Sequence, residues 1–187
     1  MHDGERDEGS DWLVVIVSVP ATPSRYRVAV WRELRRVGAI PLGQGVWGMP
    51  NLPAFEQRVA DIVELVAQGG GDALLLDSRG HSARDAEQLR SAFARARAEE
   101  WTEFLKECGH FLDEIEKEIA KDKLTMAELD EEEQSLERLR RWHGEITRRD
   151  AFAVAAGSEA SDRLTECAAR LEDYAQLVYE RSGQGAS

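Results

Sequence analysis

The chain has 187 residues, 42% of them hydrophobic, two cysteines and a formal net charge of −12. That much apolar side chain excludes a disordered polypeptide, and two thiols outside any CxxC exclude a disulfide scaffold and fit a reducing compartment. A net polyanion also argues against a general nucleic-acid coat, because phosphate would be repelled.

Residues 1–11, MHDGERDEGSD, are polar and acidic and lack the basic start and apolar run of a signal peptide. They read as a disordered tail. WLVVIVSV, residues 12–19, is β-branched and almost wholly apolar, the pattern of a buried strand covered on both faces or at a sheet centre. At eight residues it cannot span a bilayer, and the expectation is a cytoplasmic protein with no membrane partner. Pro20 and Pro23 end the strand. Ser24 is placed to cap a helix from about Arg25 to Val37, and Gly38 to stop it. AIPLG and GVWGMP, parted by Gly43-Gln44-Gly45, predict a hairpin or a bent strand pair. Pro53 opens a second helix with Phe55, Val59, Ile62, Val63 and Val66 at helical spacing, closed by Gly69-Gly70-Gly71. DALLLDS, residues 72–78, is the last strand signal.

The order β-α-β-β-α-β within residues 12–80 predicts a ferredoxin-like domain, and right-handed crossovers place both helices on one sheet face. From residue 81 there is no further strand signal and no proline. Ser82 to about Lys121 predicts one long helix with a seam of Trp101, Phe104, Cys108, Phe111, Ile115 and Ile119. KDKLT makes a turn. Thr125–Asp150 follows with Leu129, Leu136, Leu139, His143 and Ile146 on its seam, then Ser158–Arg181 with Leu164, Cys167, Leu171, Tyr174 and Val178. Three such stripes bury against one another, so residues 81–181 predict an antiparallel three-helix bundle or arm, and 182–187 a second disordered tail. The fold class is α+β.

Charge is distributed unevenly over these elements. The first helix carries Arg25, Arg27, Arg32, Arg35 and Arg36 against one acid, Glu33. At 100° per residue Tyr26, Val30, Leu34 and Val37 form its core face, with Arg25, Arg32 and Arg36 opposite and Arg35 beside them. Arg27 falls at the edge of the apolar stripe, where it either snorkels or pairs with an acid. A solvated face explains such a pattern, and so does an anion or phosphate patch, because guanidinium presents a planar fork to oxyanions. Residues 113–133 hold ten acids and three lysines. Residues 84–97, including Arg90 and Arg97, and 138–149, including Arg148 and Arg149, are net basic. An antiparallel fold brings these basic ends together, either as a surface with the first helix or as internal ion pairs.

No GxGxxG, P-loop, HExxH or GxSxG occurs, and no two histidines lie three or four residues apart. His143, Cys108 and Cys167 lie on packing seams and read as core or edge groups. ELDEEE, residues 128–133, reads as an exposed acidic run in which nothing raises a carboxyl pKa by burial. No catalytic residue, metal or cofactor is expected.

IVSVPATPSRYRVAVWRELRRVGAIPLGQGVWGMP resembles the amino-terminal domain of the ChrB family of chromate-resistance regulators. The resemblance continues through GGGDALLLDS, WTEFLKECGHFLDEIEKE and RRWHGEITRRDAF, about residues 12–180. GVWGMP and its preceding helix are also similar to the ferredoxin-like domain of PaaX-type repressors, and that domain in turn to small CRISPR-adaptation nucleases. Those nucleases carry an aspartate at the end of the first strand, where this chain has Ser18-Val19-Pro20, so no nuclease chemistry is implied. The ChrB likeness implies a cytosolic regulator that acts as a homodimer, with DNA or chromate as its partner. Larger members carry a further carboxy-terminal domain suited to sensing. Two readings stand: DNA phosphate or an oxyanion held by the arginines, or an interaction module that dimerises through its sheet and docks a protein on its acidic arm.

Overall fold

A computed structural model describes residues 12–184. The chain divides into two compact units with the boundary between Ala96 and Arg97.

The first unit holds four strands, β1 (Trp12–Ser18), β2 (Ile40–Gly43), β3 (Val46–Pro50) and β4 (Asp72–Ser78), and the helices α1 (Ser24–Val37) and α2 (Glu56–Gln68). The strands form one antiparallel sheet in the order β2-β3-β1-β4. This is the ferredoxin-like arrangement. β1 lies at the sheet centre, which is why its sequence is nearly continuous Val and Ile. Val30, Leu34 and Val37 of α1 and Val59, Ile62 and Val66 of α2 share one core with Val15, Trp47 and Met49. Both helices therefore cover the same sheet face. A side chain of this kind, once fully buried, stabilises by about 1.5–3 kcal/mol.

Helix α1 begins differently from the expectation. Ser24 is its first residue, Pro23 precedes it as the cap position, and no side chain caps the end. Pro23 holds extended dihedrals that feed the chain into the first turn. Gly38 ends the helix at φ 92°, its N–H donating to the Arg35 carbonyl at 3.0 Å. Pro53–Phe55 forms a single 3₁₀ turn ahead of α2.

Helix α3 (Ala83–Ala120) starts in the first unit and continues into the second. Ser82 and Asp85 make a reciprocal cap. Ser82 Oγ accepts from the Asp85 N–H at 3.2 Å, and Asp85 Oδ2 accepts from the Ser82 N–H at 3.0 Å. Within the first unit Phe93 meets Trp12 edge to face, 5.9 Å between centroids.

The second unit packs the rest of α3 with α4 (Met126–Arg149) and α5 (Ala156–Gln184) as a three-helix bundle. Ser182–Gln184 continue α5 rather than beginning a tail. Thr125 caps α4 by accepting from the Glu128 N–H. Directions follow from the bonds between helices. Trp101 on α3 donates to Asp150 at the end of α4, so these two run antiparallel. Arg170 Nε donates to Glu116 at 2.8 Å, and Tyr174 Oη donates to the Lys123 carbonyl at 2.7 Å, so α5 runs parallel to α3. The core contains every seam residue predicted for α3 from Trp101 to Ile115, together with Cys167 and Tyr174 of α5. The expected tail at residues 1–11 and residues 185–187 lie outside the described residues.

Candidate anion-binding surface

Helix α1 buries Val30, Leu34 and Val37, and that choice of face decides where its cations go. Arg25, Arg27, Arg32, Arg35 and Arg36 are all exposed. Arg36 lies 3.7 Å from Glu33, a pair in which both side chains are about half exposed. Arg25 sits over the Tyr26 ring at 4.9 Å, and Arg35 over the Trp31 ring at 5.2 Å. Arg27, Trp31 and Arg35 follow one another at four-residue steps and so share one side of the helix.

Arg27 and Trp31 border a recess of about 360 Å³ whose floor includes Val30, Leu34 and Trp47. Its far wall is the β2–β3 turn, Gln44-Gly45. That turn is pinned to the sheet, since the Val17 N–H donates to the Gly45 carbonyl at 2.7 Å. Gly45 is required there: its φ is +69°, and a Cβ would lie 2.5 Å from the Val17 carbonyl oxygen. Arg27 thus borders apolar surface and is exposed, which fits the snorkelling alternative.

The remaining arginines divide. Arg90 and Arg148 are exposed, and Arg148 Nε donates to the Gly144 carbonyl at 3.1 Å. Arg97 is buried, with Nη2 donating to Glu100 at 3.2 Å. Arg149 Nε donates to the other Glu100 oxygen at 2.9 Å. Arg97 and Arg149 are therefore drawn inward onto one carboxylate and present no open guanidinium fork to an incoming anion.

His143 behaves as its seam position predicts. Its Nε2 lies 3.0 Å from Ser161 Oγ, its ring stands against Trp101 and Phe104, and burial holds its pKa below the ordinary value. Cys108 and Cys167 are fully buried, and the Cys167 thiol is pushed up by its contact with Cys108 and by burial. The acidic run is a correction. Glu132 is buried, and its carboxyl is pushed above the ordinary glutamate range by that burial and then by Glu114, Glu118, Glu128 and Glu131. Position 132 falls three residues after Leu129 and four before Leu136, on the α4 seam, and that spacing is the signal in the sequence. Glu118, also buried, has Lys123 at 3.1 Å.

Among the described residues, no group of three His, Cys, Asp or Glu side chains could hold a metal ion, and no helix is long and apolar enough to cross a membrane.

The family model for the amino-terminal part of protein ChrB matches residues 27–185, beginning at Arg27. The chain belongs to the ChrB amino-terminal family. Protein ChrB of Cupriavidus metallidurans (strain CH34) is 26% identical over 153 residues, which is 80% of this chain and 43% of that protein. The chain thus spans less than half the length of this ChrB relative. No solved structure matches it. The ChrB match runs from Arg27 through the rest of the first unit and across the bundle, and leaves β1 and Arg25 outside it.

Proposed function

We propose that the chain is a regulatory module of chromate resistance that contacts DNA phosphate or an oxyanion through the exposed arginines of α1. One observation carries this reading. Five guanidinium groups stand on a single helix of an acidic protein, and of these five only Arg36 has a carboxylate of the described residues, Glu33, within ion-pair distance. Elsewhere in the same chain, Arg97 and Arg149 share a carboxylate inside the bundle. Exposed and unneutralised guanidinium is the form that binds phosphate bidentately and releases counterions. The Arg27–Trp31–Arg35 side adds a flat aromatic group beside the charges.

A gel-shift series with the gene's own upstream DNA at two salt concentrations tests it. Binding weakens steeply with salt, and Arg32→Glu with Arg36→Glu removes most of it while helical circular dichroism is retained. In a salt titration, each phosphate that the variant no longer neutralises lowers the log–log slope by about 0.9. Absence of a shift at low salt removes DNA from the account, and isothermal titration with chromate then decides the oxyanion alternative.

A second reading has its own observation. β4 is an edge strand, and Leu74, Leu75 and Leu76 are all exposed, Leu74 by 54%. Leu74 and Leu76 pair with Ile16 and Val14, so one sheet face carries an apolar group beside an open edge. Such an edge is a template for pairing with a second copy. In this reading the module is a homodimer, with its acidic residues 113–133 offered to a basic protein. Leu74→Glu would then convert a dimer to a monomer by analytical ultracentrifugation and leave any DNA affinity per subunit unchanged.

A further inference from the structure

The apolar seam of α4 contains Leu129, Leu136, Leu139 and Ile146, all buried, and one buried carboxyl, Glu132. Glu132 is only 8% exposed. Two other acids withdrawn from water in this unit have cations: Glu118 has Lys123 at 3.1 Å, and Glu100, toward the other end of the bundle, has Arg97 and Arg149. Among the described residues no hydrogen bond or ion pair reaches the Glu132 carboxyl. Its carboxyl oxygens keep solvent contact through the adjoining recess, so a cation entering there would meet a carboxyl with no other counter-ion.

The surroundings supply room for one. Glu132 lines a recess of about 520 Å³ between α3 and α4, within the size range of small-molecule sites. Phe111, Leu139 and Trp142 form its apolar wall. Trp142 is fixed edge to face against Phe104, 5.5 Å between centroids. Glu107 and Glu114 add negative charge, the first 3.4 Å from His110 and the second 3.0 Å from Lys117. Arg138 borders the recess too, exposed, with its guanidinium donating to Ser135 Oγ at 3.0 Å. An inorganic cation fits poorly, because no three ligating side chains converge among the described residues. A cation with an apolar body fits better. Its ammonium would neutralise Glu132, and its carbon frame would cover the aromatic wall, where a cation also gains from the ring face.

We propose that the α3–α4 recess is a binding site for a small organic cation, with Glu132 as its counter-ion and Phe111 and Trp142 as its apolar seat. The site lies wholly within the second unit and shares no residue with the arginine surface of α1, so either assignment stands without the other.

The test is isothermal titration of the full chain at neutral pH with three probes: phenethylamine, agmatine and spermidine. 2-Phenylethanol serves as the neutral counterpart of the first. Expected is saturable 1:1 binding of at least one amine, with 2-phenylethanol at least tenfold weaker than phenethylamine if that is the binder. Glu132→Gln, nearly isosteric, should abolish binding and keep the unfolding midpoint of the parent or raise it. Carboxyl carbon NMR adds a second readout: the bound amine should bring the Glu132 titration down toward the ordinary glutamate range. Saturable binding by none of the three probes overturns the proposal. So does binding that Glu132→Gln leaves unchanged, or equal affinity for phenethylamine and 2-phenylethanol.

Discussion

Arg149 donates from Nε to Glu100 Oε2 at 2.9 Å, joining the end of α4 to α3 across 49 residues of sequence. Arg97 takes the other Glu100 oxygen at 3.2 Å. Next to them Trp101 Nε1 donates to Asp150 Oδ2 at 2.9 Å, and the Val154 N–H donates to the same oxygen at 3.1 Å. The start of the bundle is therefore tied by charge and hydrogen bonds as well as by packing.

Glu100 is the member of this group whose loss should cost most. Glu100→Ala takes a carboxylate away from two largely buried guanidinium groups at once, whereas Arg149→Ala leaves Glu100 with Arg97. We expect Glu100→Ala to destabilise by roughly 2–4 kcal/mol, between the values for exposed and fully buried pairs. Arg149→Ala should cost less. Urea unfolding followed by circular dichroism measures both, and equal small losses would mean that the pairs are solvated in solution.

Glu132 should give the bundle an unusual pH response. Its folded pKa is raised by burial above the ordinary 4.5. The folded state therefore holds this proton more tightly than the unfolded chain does. The resulting stability is fully present below the unfolded value and is lost as pH rises through the folded one. Glu132→Leu removes the dependence and completes the apolar seam, so it should stabilise at neutral pH by about 1–3 kcal/mol. The difference in unfolding free energy between parent and variant, measured from pH 4 upward in roughly half-unit steps, should grow with pH and then level off.

His143 should respond in the opposite direction. Burial between Trp101 and Phe104 lowers its folded pKa below 6.5, so the neutral ring is favoured in the native state. Its contribution is present above the unfolded value and is lost as pH falls through that value toward the folded one. Proton–nitrogen NMR should show the His143 ring titrating below the ordinary histidine value of 6.5. A His143 that titrates at or above that ordinary value would contradict this burial.

Cys108 and Cys167 should resist modification while the bundle is folded. Both are fully buried, and Cys167 Sγ lies 3.7 Å from the Cys108 carbonyl. Ellman's reagent should react with neither thiol on a timescale of minutes in native buffer and with both in denaturant. Native reactivity would then report the rate at which the bundle opens.

Much of this architecture is legible in the sequence because it depends on periodicity. A short continuous β-branched run favours a buried strand through its side-chain stiffness and packing, and three seams at steps of three and four must face one another. Residues 12–80 and the three later helices follow those rules closely. The α1 arginines are legible for the same reason: once Val30, Leu34 and Val37 are committed to the core, the helical repeat directs Arg25, Arg32 and Arg36 to solvent. Local pattern fails where a residue's environment depends on a distant segment. Arg97 and Arg149 resemble Arg90 and Arg148 in sequence, yet the first two are drawn inward by one carboxylate on α3. Glu132 sits within an acidic run that reads as solvated, although its place on the seam outweighs the polarity of its neighbours.

The amino-acid sequence by itself determined which segments fold, which faces they bury and that positive charge gathers on α1, because hydrophobic spacing and backbone geometry act over a few residues. Tertiary structure alone decided which charges are paired, which are buried and which stand open, because Coulomb energy and desolvation depend on distances in space between groups far apart in the chain. The exposed guanidinium groups of α1, the arginine-bound Glu100 and the unpaired Glu132 are three outcomes of that one decision.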